Sequence, residues 1–428
     1  MIGIRKFLKT LIPSAVLREK VSILSEYYKI ACLRIRHKRA LKKLKSKAEI
    51  NVVILAINSA AWKFDQLYRL FDLNSRFKIT IVVCPLIAYE NKEMFNEMET
   101  TFNMFRNKNF NVVKTFLKND SWLDVKETLK PDIIFFTNSW YITKPQYLIH
   151  SFPECLTCYG PYGYYLSDLL IKTYNEFFYS ALWKNFLETE VHYKMYKQKA
   201  RHFNNAVYAG YPGTDNLIDP GYIPVQVWKN TGLKRKKVIW APHHTIENIG
   251  GLDFSSFIEY SDFIVDIAEK YKDKIQIAFK PHPFLKHKLY SDSSWGREKT
   301  DLYYAYWQQL ENGQLFESDY LDLFLTSDAM IFDSISFIAE YLFVSKPSLF
   351  IMHDNAIEDK LNEFGKMALK QHIPAFDQEQ VILFIENVVF TESDPKKDER
   401  DLFFERYLRP PNSKTASENI LNEILKYL

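Results

Sequence analysis

With 428 residues, the chain is long enough for two α/β domains, because single hydrophobic cores stop growing near roughly 250–300 residues. Hydrophobic residues make up 47% and aromatic residues 16% of the chain, which predicts well-filled cores and excludes a disordered protein. No apolar run reaches the roughly 20 residues of a membrane span, no signal-peptide pattern opens the chain, and four scattered cysteines do not suit a secreted disulfide framework. We therefore expect a cytoplasmic protein.

Positive charge is concentrated in an N-terminal arm. Residues 1–50 hold 14 Lys and Arg against three Glu, which gives this segment a net charge of +11. Because the whole chain has a net charge of +4, the remaining residues together carry about −7. The apolar residues interleaved with this charge are Ile4, Phe7, Leu8 and Leu11, then Leu33, Ile35, Leu41 and Leu44. A basic amphipathic helix suits an anionic leaflet and predicts peripheral attachment to the cytoplasmic face of the membrane. The alternative is a solvated helix packed on the first domain. Nucleic acid is not an expected partner, because no nucleic-acid-binding module follows.

From residue 51 onward, short apolar runs alternate with helical stretches. A first series has predicted strands at Asn51–Ile57, Lys78–Cys84 and Asp132–Thr137, with helices around Trp62–Phe71 and Tyr89–Arg106. A second series has predicted strands at Lys237–Ala241, Ile275–Lys280, Asp328–Asp333 and Ser348–Met352, with helices at Phe257–Tyr271 and Phe337–Phe343. This rhythm predicts an α/β protein with two Rossmann-like lobes facing across a cleft, the GT-B arrangement, behind a basic helical arm.

Polar residues cluster where three strands of the second series end, and a doubly wound sheet binds its ligands at such ends. The clusters are Trp240-Ala241-Pro242-His243-His244-Thr245, Lys280-Pro281-His282-Pro283, and Asp333-Ser334-Ile335-Ser336 followed by Glu340. Neutral imidazoles, a lysine and helix N-terminal amides can stabilise the charge of a leaving diphosphate, and serine hydroxyls can bind its oxygens. Glu340 is placed to accept hydrogen bonds from ribose. The sequence therefore predicts a nucleotide-diphosphate site.

A metal-centred mechanism is not expected, because the chain has no Asp-x-Asp triplet and no His/Cys cluster with metal-ligand spacing. No other cofactor is expected either, since the activated donor is itself a substrate. His243 and His244 are adjacent, so along an extended segment only one of them can point into a cleft, and we expect the other to be structural.

These motifs together resemble the CDP-glycerol:poly(glycerophosphate) glycerophosphotransferases of teichoic acid and capsule synthesis. The resemblance rests on the order Trp-Ala-Pro, Lys-Pro-His-Pro, then Ser327-Asp328 and Asp333–Ser336, with a similar Gly210–Asp215 segment ahead of them. It implies transfer of glycerol phosphate, or a related polyol phosphate, from a CDP-activated donor with release of CMP. The implied acceptor is a surface glycan or a lipid-linked, teichoic-acid-like polymer.

The resemblance also implies roles for single residues. His282 would contact the donor diphosphate, Asp333 and Ser336 would hold the nucleotide phosphates, and Glu340 matches the glutamate that follows them. In one departure, Ser334-Ile335 replaces a Tyr-Ser pair.

A second departure concerns the base. Tyr159 stands where the family has the histidine proposed as catalytic base, and a tyrosine, titrating near 10, is a poor base at pH 7. The alternatives for that role are Asp168, Glu154, His243 and His244.

The predicted organisation has five segments. They are a membrane-associating arm (1–50), an acceptor lobe (51–211), a Pro- and Gly-rich linker (212–236), a nucleotide-donor lobe (237–414) and a C-terminal helix (415–428) opened by a capping box. Three other functions stay open at this point. They are a glycosyltransferase that uses a nucleotide sugar, a UDP-sugar 2-epimerase and a non-catalytic scaffold. The segment Asp333–Glu340 also resembles the donor turn of the UDP-sugar 2-epimerases.

Overall fold

The computed structural model describes residues 15–118, 120–247, 254–352 and 357–428, which form two compact units. The first unit comprises the described residues up to Tyr162, together with Thr173–Gly213 and Ala416–Leu428. The second comprises Gly163–Lys172 and Thr214–Thr415. Each unit is built around its own parallel sheet covered by helices, which confirms the predicted α/β class with two Rossmann-like lobes.

In the described part of the first unit, the sheet has seven strands in the order β3-β2-β1-β4-β5-β6-β7. They are β1 (Ile50–Ala56), β2 (Phe77–Val83), β3 (Val112–Lys114), β4 (Ile133–Phe136), β5 (Leu156–Tyr159), β6 (Lys184–Leu187) and β7 (Ala206–Tyr208). All neighbouring strands are parallel, with Val52 of β1 opposite Ile79 on one side and Ile133 on the other. Strands buried on both faces need continuous Val, Ile and Phe runs, which is the pattern that made β1, β2 and β4 predictable.

The second sheet has six described strands in the order β10-β9-β8-β11-β12-β13. They are β8 (Lys236–Ala241), β9 (Ile275–Phe279), β10 (Gly313–Leu315), β11 (Ala329–Phe332), β12 (Ser348–Ile351) and β13 (Ile373–Ala375). The strand order changes direction between β8 and β11, as it does between β1 and β4 in the first sheet. In a doubly wound sheet this switch opens a crevice at the carboxyl ends of the two strands.

The described α-helices, in chain order, are α1 (Ala15–Leu44), α2 (Asp65–Asp72), α3 (Asn91–Asn107), α4 (Val125–Leu129), α5 (Asp168–Lys172), α6 (Phe177–Ala181), α7 (Glu190–Lys199), α8 (Asp215–Ile218), α9 (Phe257–Lys270), α10 (Leu285–Ser291), α11 (Gly296–Gln309), α12 (Leu321–Thr326), α13 (Ile357–Lys360), α14 (Glu363–Leu369), α15 (Gln378–Phe384), α16 (Lys397–Phe403) and α17 (Ala416–Leu425). The predicted helix at Phe337–Phe343 is instead two short 3-10 turns, Ile335–Phe337 and Glu340–Val344. None of the described helices is long and apolar enough to span a membrane.

The terminal helices belong to the first unit rather than standing apart as the predicted segments have them. In α17, Ile420 and Ile424 lie one turn apart and are fully buried in the core of the first sheet. In α1, Leu41 packs against that core and Leu44 is buried in it. These two apolar residues lie on one face of the helix, and such a face is buried only when it packs against another element. Of the predicted linker (212–236), all but Pro212 and Gly213 belong to the second unit.

The predicted amphipathic pattern of the arm is therefore only partly a surface pattern. Leu41 and Leu44 face the core, as the packed-helix alternative has it, whereas Ile35 is 51% exposed. Ile4, Phe7, Leu8 and Leu11 lie outside the described residues. An exposed stripe, not predicted from the sequence, runs along α1 through Leu24, Tyr28 and Ala31 to Ile35.

Candidate functional site

The second unit brings its three polar clusters together because β9, β8 and β11 are consecutive strands of one sheet. The strands run parallel, so their carboxyl ends meet at one edge. Main-chain bonds continue past the strands: the Lys280 N–H donates to the Trp240 carbonyl at 2.8 Å, and the His282 N–H donates to the Pro242 carbonyl at 3.1 Å. The loops after β8 and β9 are thereby fixed side by side.

Three imidazole rings form the centre of this edge. The rings of His244 and His282 stack with their centroids 4.0 Å apart, and the His243 ring lies 4.3 Å from His244 and 5.1 Å from His282. Both rings contact His282, but only His244 is partly exposed, because His243 is buried at 4% exposure. The expectation that only one of the two points into a cleft stays a prediction. Strict alternation of side chains needs an extended backbone, and the chain leaves the strand at Ala241 before the pair begins.

All three rings are held neutral. Burial, reinforced by the His244 and Lys280 charges, lowers the pKa of His282 to about 3. Burial and then Lys288 lower the pKa of His244 to about 4, and burial with the two neighbouring rings lowers the pKa of His243 well below its usual value. At neutral pH the cluster therefore carries no charge of its own.

Hydrogen bonds to the far side of two rings fix which nitrogen holds the proton. The Phe284 main-chain N–H donates to His282 Nδ1 at 3.1 Å, so the proton of this neutral ring sits on Nε2. The Thr245 main-chain N–H donates to His243 Nδ1 at 3.4 Å, so this nitrogen also accepts and the proton of the neutral ring sits on Nε2; the Thr245 hydroxyl lies 2.9 Å from the same nitrogen. Both rings thus present an Nε2–H donor, whereas the buried His244 Nδ1 has no hydrogen-bond partner among the described residues.

The three rings also have a geometry that the sequence spacing did not reveal, since one ligand nitrogen from each lies within 4.8 Å of the others. The absence of a His/Cys cluster with metal-ligand spacing therefore holds for the sequence but not for the folded chain, because His243 and His282, 39 positions apart, meet through β8 and β9. However, a metal ligand needs a free lone pair, and a metal-bound imidazole usually donates its other N–H outward. His243 and His282 do the reverse: their Nδ1 atoms accept, and Nε2 carries the proton. These residues fit an anion better than a cation.

Asp333 connects this cluster to the rest of the edge. Its carboxylate is buried and accepts the main-chain N–H of His243 at 2.5 Å and that of Ser256 at 2.6 Å, just before α9 begins. Burial raises the pKa of Asp333 to about 7, although the two amides favour the charged form. With both oxygens engaged by the main chain, this side chain positions the His243 loop rather than presenting itself to a phosphate.

The remaining predicted donor-site residues differ in exposure. Ser336 is exposed within the 3-10 turn after β11, while Ser334, Glu340 and Lys280 are buried, at 2%, 4% and 6% exposure. Because this turn is 3-10 and brief, it does not supply the aligned amides of an α-helix that we expected there.

The candidate bases are dispersed over the two units. Tyr159 ends β5 in the first unit, fully buried between the rings of Phe178 and Tyr179. Glu154, also in the first unit, is exposed and pairs with Arg36 at 3.4 Å. Asp168 is an exposed residue at the start of α5 in the second unit. Tyr159, Glu154 and Asp168 thus lie in three different surroundings and do not form one cluster of candidate bases.

Two residues of the site, Ser255 and Ser256, were not found from the sequence, and Thr245 was found only as a member of the first polar cluster, without its role in orienting the His243 ring. The Ser255 hydroxyl donates to the His243 carbonyl at 2.8 Å, and the buried Ser256 hydroxyl has no partner among the described residues. The only signal was a small polar run, Ser255-Ser256, directly before a predicted helix.

Comparison with known proteins decides the family. The profile of the family described as CDP-Glycerol:Poly(glycerophosphate) glycerophosphotransferase matches residues 173–426, more than half of the chain. The chain belongs to this family. Membership makes it a transferase by family and confirms the resemblance read from the motifs, while none of the curated protein sequences matches it.

Solved structures share its fold at low sequence identity. A variant of the wall teichoic acid polymerase TagF soaked with CDPG is 14% identical, with a TM-score of 0.55 over 96% of this chain and 98% of that one. UDP-GlcNAc 2-epimerase from Neisseria meningitidis, bound to UDP-GlcNAc, is 13% identical, with a TM-score of 0.52 over 88% and 100%. The same enzyme from Methanocaldococcus jannaschii is 12% identical, with a TM-score of 0.53 over 89% and 100%. These similarities show that this member of the glycerophosphotransferase family has a two-lobed fold of the GT-B type.

Proposed function

We propose that this protein transfers glycerol phosphate, or a related polyol phosphate, from a CDP-activated donor to a hydroxyl of a surface glycan or lipid-linked, teichoic-acid-like acceptor. The acceptor oxygen forms a bond to the phosphorus that carries the polyol. The bond from that phosphorus to the bridging oxygen breaks, CMP leaves with the electron pair, and the hydroxyl proton passes to solvent or a nearby base. Membership of the glycerophosphotransferase family supports this chemistry.

The observation that carries the proposal is the pair of oriented imidazole donors at the ends of β8 and β9. Neutral rings with fixed Nε2–H groups suit the charge that develops on the phosphate of the leaving CMP, and they need no reorganisation when it forms. Lys280, buried beside His282, supplies positive charge to the same edge. Glu340 keeps its expected role as acceptor for ribose hydroxyls, and Ser334 and Ser336 keep theirs as phosphate ligands.

The lowered basicity of the imidazoles argues against them as the base. A ring with a pKa near 3 or 4 takes up a proton poorly at neutral pH, so His244 and His282 suit donation rather than abstraction. Phosphoryl transfer passes through a loose transition state in which charge stabilisation counts for more than early proton removal. The absence of a histidine at Tyr159 is therefore compatible with transfer.

The decisive experiment compares donors by binding and by turnover. Thermal shift with CDP-glycerol, CDP-ribitol, a UDP-sugar and a CMP-sugar identifies the nucleotide, because a ligand that binds only the folded protein raises its Tm. CMP release and a phosphodiester product from CDP-glycerol or CDP-ribitol support the proposal, in EDTA as well as without it. A shift and turnover with UDP-sugars alone, or activity abolished by EDTA and restored by Mn²⁺, would overturn it.

The proposal includes attachment to an anionic membrane surface through α1. The exposed stripe of Leu24, Tyr28, Ala31 and Ile35 continues into the exposed Lys38 and Lys42. These lysines follow Ile35 by about one and two helical turns, so they lie on the same face of α1. Apolar residues flanked by lysines on one face of a helix suit the headgroup region of an anionic leaflet. An acceptor carried on a lipid would be reached from such a position.

A further inference from the structure

A short segment that follows β5, Gly163–Lys172, belongs to the second unit, although the chain on both sides of it belongs to the first. The main chain attaches it there. Ser167 forms an antiparallel bridge with Leu361, and the Asn362 N–H donates to the Leu166 carbonyl at 2.8 Å. The second unit therefore fixes the backbone of this segment.

Two residues of the second unit are shaped to hold the segment. Asn362 is 1% exposed; its Oδ1 accepts the Gly365 N–H at 2.8 Å, which caps α14, and its Nδ2 donates to the Tyr165 carbonyl. Gly365 leaves room for the segment, because a Cβ at this position would lie 2.6 Å from the Leu166 carbonyl oxygen. A buried amide with both ends bonded to main chain, beside a glycine, gives the segment one defined position on this unit.

The attachment point adjoins the elements that build the donor site. Lys360, next to the bridge, has its Nζ 5.5 Å from the centre of the Phe254 ring, and that ring lies 5.8 Å from the His243 ring. The ring of Tyr164, in the segment itself, lies 6.5 Å from that of Phe343 in the second 3-10 turn after β11. The segment therefore docks beside the imidazole loop and the turn that follows β11.

Asp168 is the charged group that this attachment exposes. Its predecessor Ser167 is buried at 4% exposure and accepts the Leu169 N–H at 3.2 Å, which orders the start of α5. Asp168 itself is exposed, and its carboxylate makes no hydrogen bond or ion pair among the described residues. A carboxylate on a fixed backbone, with no protein partner, is free to contact a substrate.

The other candidate bases are less suitable. Tyr159 is buried among aromatic rings, and Glu154 pairs with Arg36, all in the first unit. Burial lowers the pKa of both His243 and His244, so these rings take up a proton poorly. A carboxylate is chemically sufficient, because in protein kinases an aspartate accepts the proton of the hydroxyl that attacks phosphorus.

We propose that Asp168 is the general base of the transfer. Its carboxylate accepts the proton of the acceptor hydroxyl while the acceptor oxygen bonds to the phosphorus that carries the polyol. The bond from that phosphorus to the bridging oxygen breaks, CMP leaves with the electron pair, and Asp168 then releases the proton to solvent. The inference rests on the proposed transferase function and adds the residue that removes the proton.

The test measures CMP release from CDP-glycerol by the full chain, with a short oligo(glycerol phosphate) and methyl glucoside as acceptor probes. Asp168→Asn keeps the size of the side chain but takes up no proton, whereas Asp168→Ala leaves space that added formate can fill. Asp359→Ala is the matched control, because Asp359 is an exposed carboxylate of α13 close to the same bridge.

We expect both Asp168 variants to lose about 100-fold in kcat, the lower end for a lost general base, since a loose transition state needs little proton removal. The acceptor KM and the CDP-glycerol Tm shift should match wild type. Formate should raise the rate of Asp168→Ala about tenfold or more and leave Asp168→Asn unchanged, because only the alanine variant has space for a second carboxylate. Asp359→Ala should react like wild type with and without formate.

An Asp168→Asn rate within about twofold of wild type would overturn the assignment. So would an Asp168→Ala loss that formate does not restore, or an equal loss in Asp359→Ala, since either result indicates a structural effect. Wild-type protein that neither binds CDP-glycerol nor releases CMP from it would instead overturn the proposed function, so the two failures are distinguishable.

Discussion

Asp333 holds His243 through the main chain: its Oδ1 accepts the His243 N–H at 2.5 Å, while Oδ2 accepts the Ser256 N–H at 2.6 Å. One carboxylate thus joins the end of β11 to the loop after β8 and to the start of α9. The imidazole cluster therefore depends on a residue that does not itself face a ligand. A phosphate-binding aspartate and a positioning aspartate look alike in sequence, and only the partners of its two oxygens separate them.

Asp333→Asn should destabilise the second unit by about 1–3 kcal/mol and reduce turnover strongly, because an amide offers one acceptor where two buried N–H groups need acceptors. Urea unfolding and CMP release measure the two effects. Asp328→Asn is the matched control, since Asp328 accepts the Lys237 N–H at 2.7 Å at the opposite end of β8. If the Asp328 and Asp333 variants lose activity equally, Asp333 has no special bearing on the cluster.

The two nitrogens of His282 can be tested separately. Asn places its amide near the position of Nδ1 and can accept the Phe284 N–H, whereas Gln extends an N–H donor toward the position of Nε2. If Nε2–H stabilises the phosphate of the leaving CMP, His282→Asn should lose about 100–1,000-fold in kcat, and His282→Gln should retain clearly more activity.

Single-turnover rates at saturating donor make this comparison, with circular dichroism confirming that both variants fold. Equal rates for the two variants would remove the donor role of Nε2. A His282→Asn rate within twofold of wild type would remove His282 from the chemistry altogether.

The location of the site could be predicted from the sequence, but its inner geometry could not. Buried parallel strands leave long Val and Ile runs, and motifs that follow such strands must meet at one edge, so His282 and Asp333 could be placed together. The orientations of His243 and His244 could not, because they follow the strand, where alternation no longer applies. Tyr159 could not be recognised as buried, since its partners Phe178 and Tyr179 are almost 20 positions away.

Short strands and the packing face of the N-terminal helix were the least predictable parts of the fold. Strands β3, β7 and β10 have three residues each, too few for any period to show. The predicted strands and helices, in contrast, extend over four or more residues with buried faces, and the structure confirms them within a few residues except at Phe337–Phe343. For α1, the sequence shows charge and apolar spacing but not which face packs, because both faces carry apolar residues.

The neutral imidazoles predict acid sensitivity. A histidine whose folded pKa is lowered binds its proton first in the unfolded chain, so its contribution to stability is present above pH 6.5 and is lost as pH falls toward the folded pKa. For His282 the window runs from 6.5 down to about 3. Asp333 acts in the opposite direction, since its raised pKa, about 7, favours the folded state as pH falls.

Comparing variants isolates the His282 contribution. His282→Asn should flatten the fall in unfolding free energy between pH 6.5 and 4 by up to about 1.4 kcal/mol per pH unit, because it removes one proton taken up on unfolding. Urea unfolding at half-unit pH steps measures the slope. His150→Asn, at an exposed position, is the control. An unchanged slope in His282→Asn would show that the ring is not held neutral by burial.

The last prediction concerns the exposed stripe of α1. Full-length protein should bind vesicles that contain anionic lipid and ignore neutral ones, with binding that falls steeply as salt rises. Each Lys or Arg near the surface contributes on the order of 1 kcal/mol, and the attraction is screened beyond a Debye length of about 8–10 Å. Replacing Leu24, Tyr28 and Ile35 with Ser should reduce binding to anionic vesicles at least tenfold, because these side chains would no longer leave water.

Substitution is a sharper tool here than truncation. Removing residues 1–47 would also remove Leu44 from the core of the first sheet, and loss of binding could then reflect misfolding. The matched control replaces three apolar residues elsewhere that are at least half exposed like those of α1, Ile223, Leu302 and Leu402, with Ser. We expect the control to sediment with vesicles like wild type, and the α1 variant to keep the donor-induced Tm shift, because the nucleotide site belongs to the other unit. If the α1 variant binds anionic vesicles as well as the control does, this face is only a solvated surface of a packed helix. Attachment would then have to come from another part of the chain.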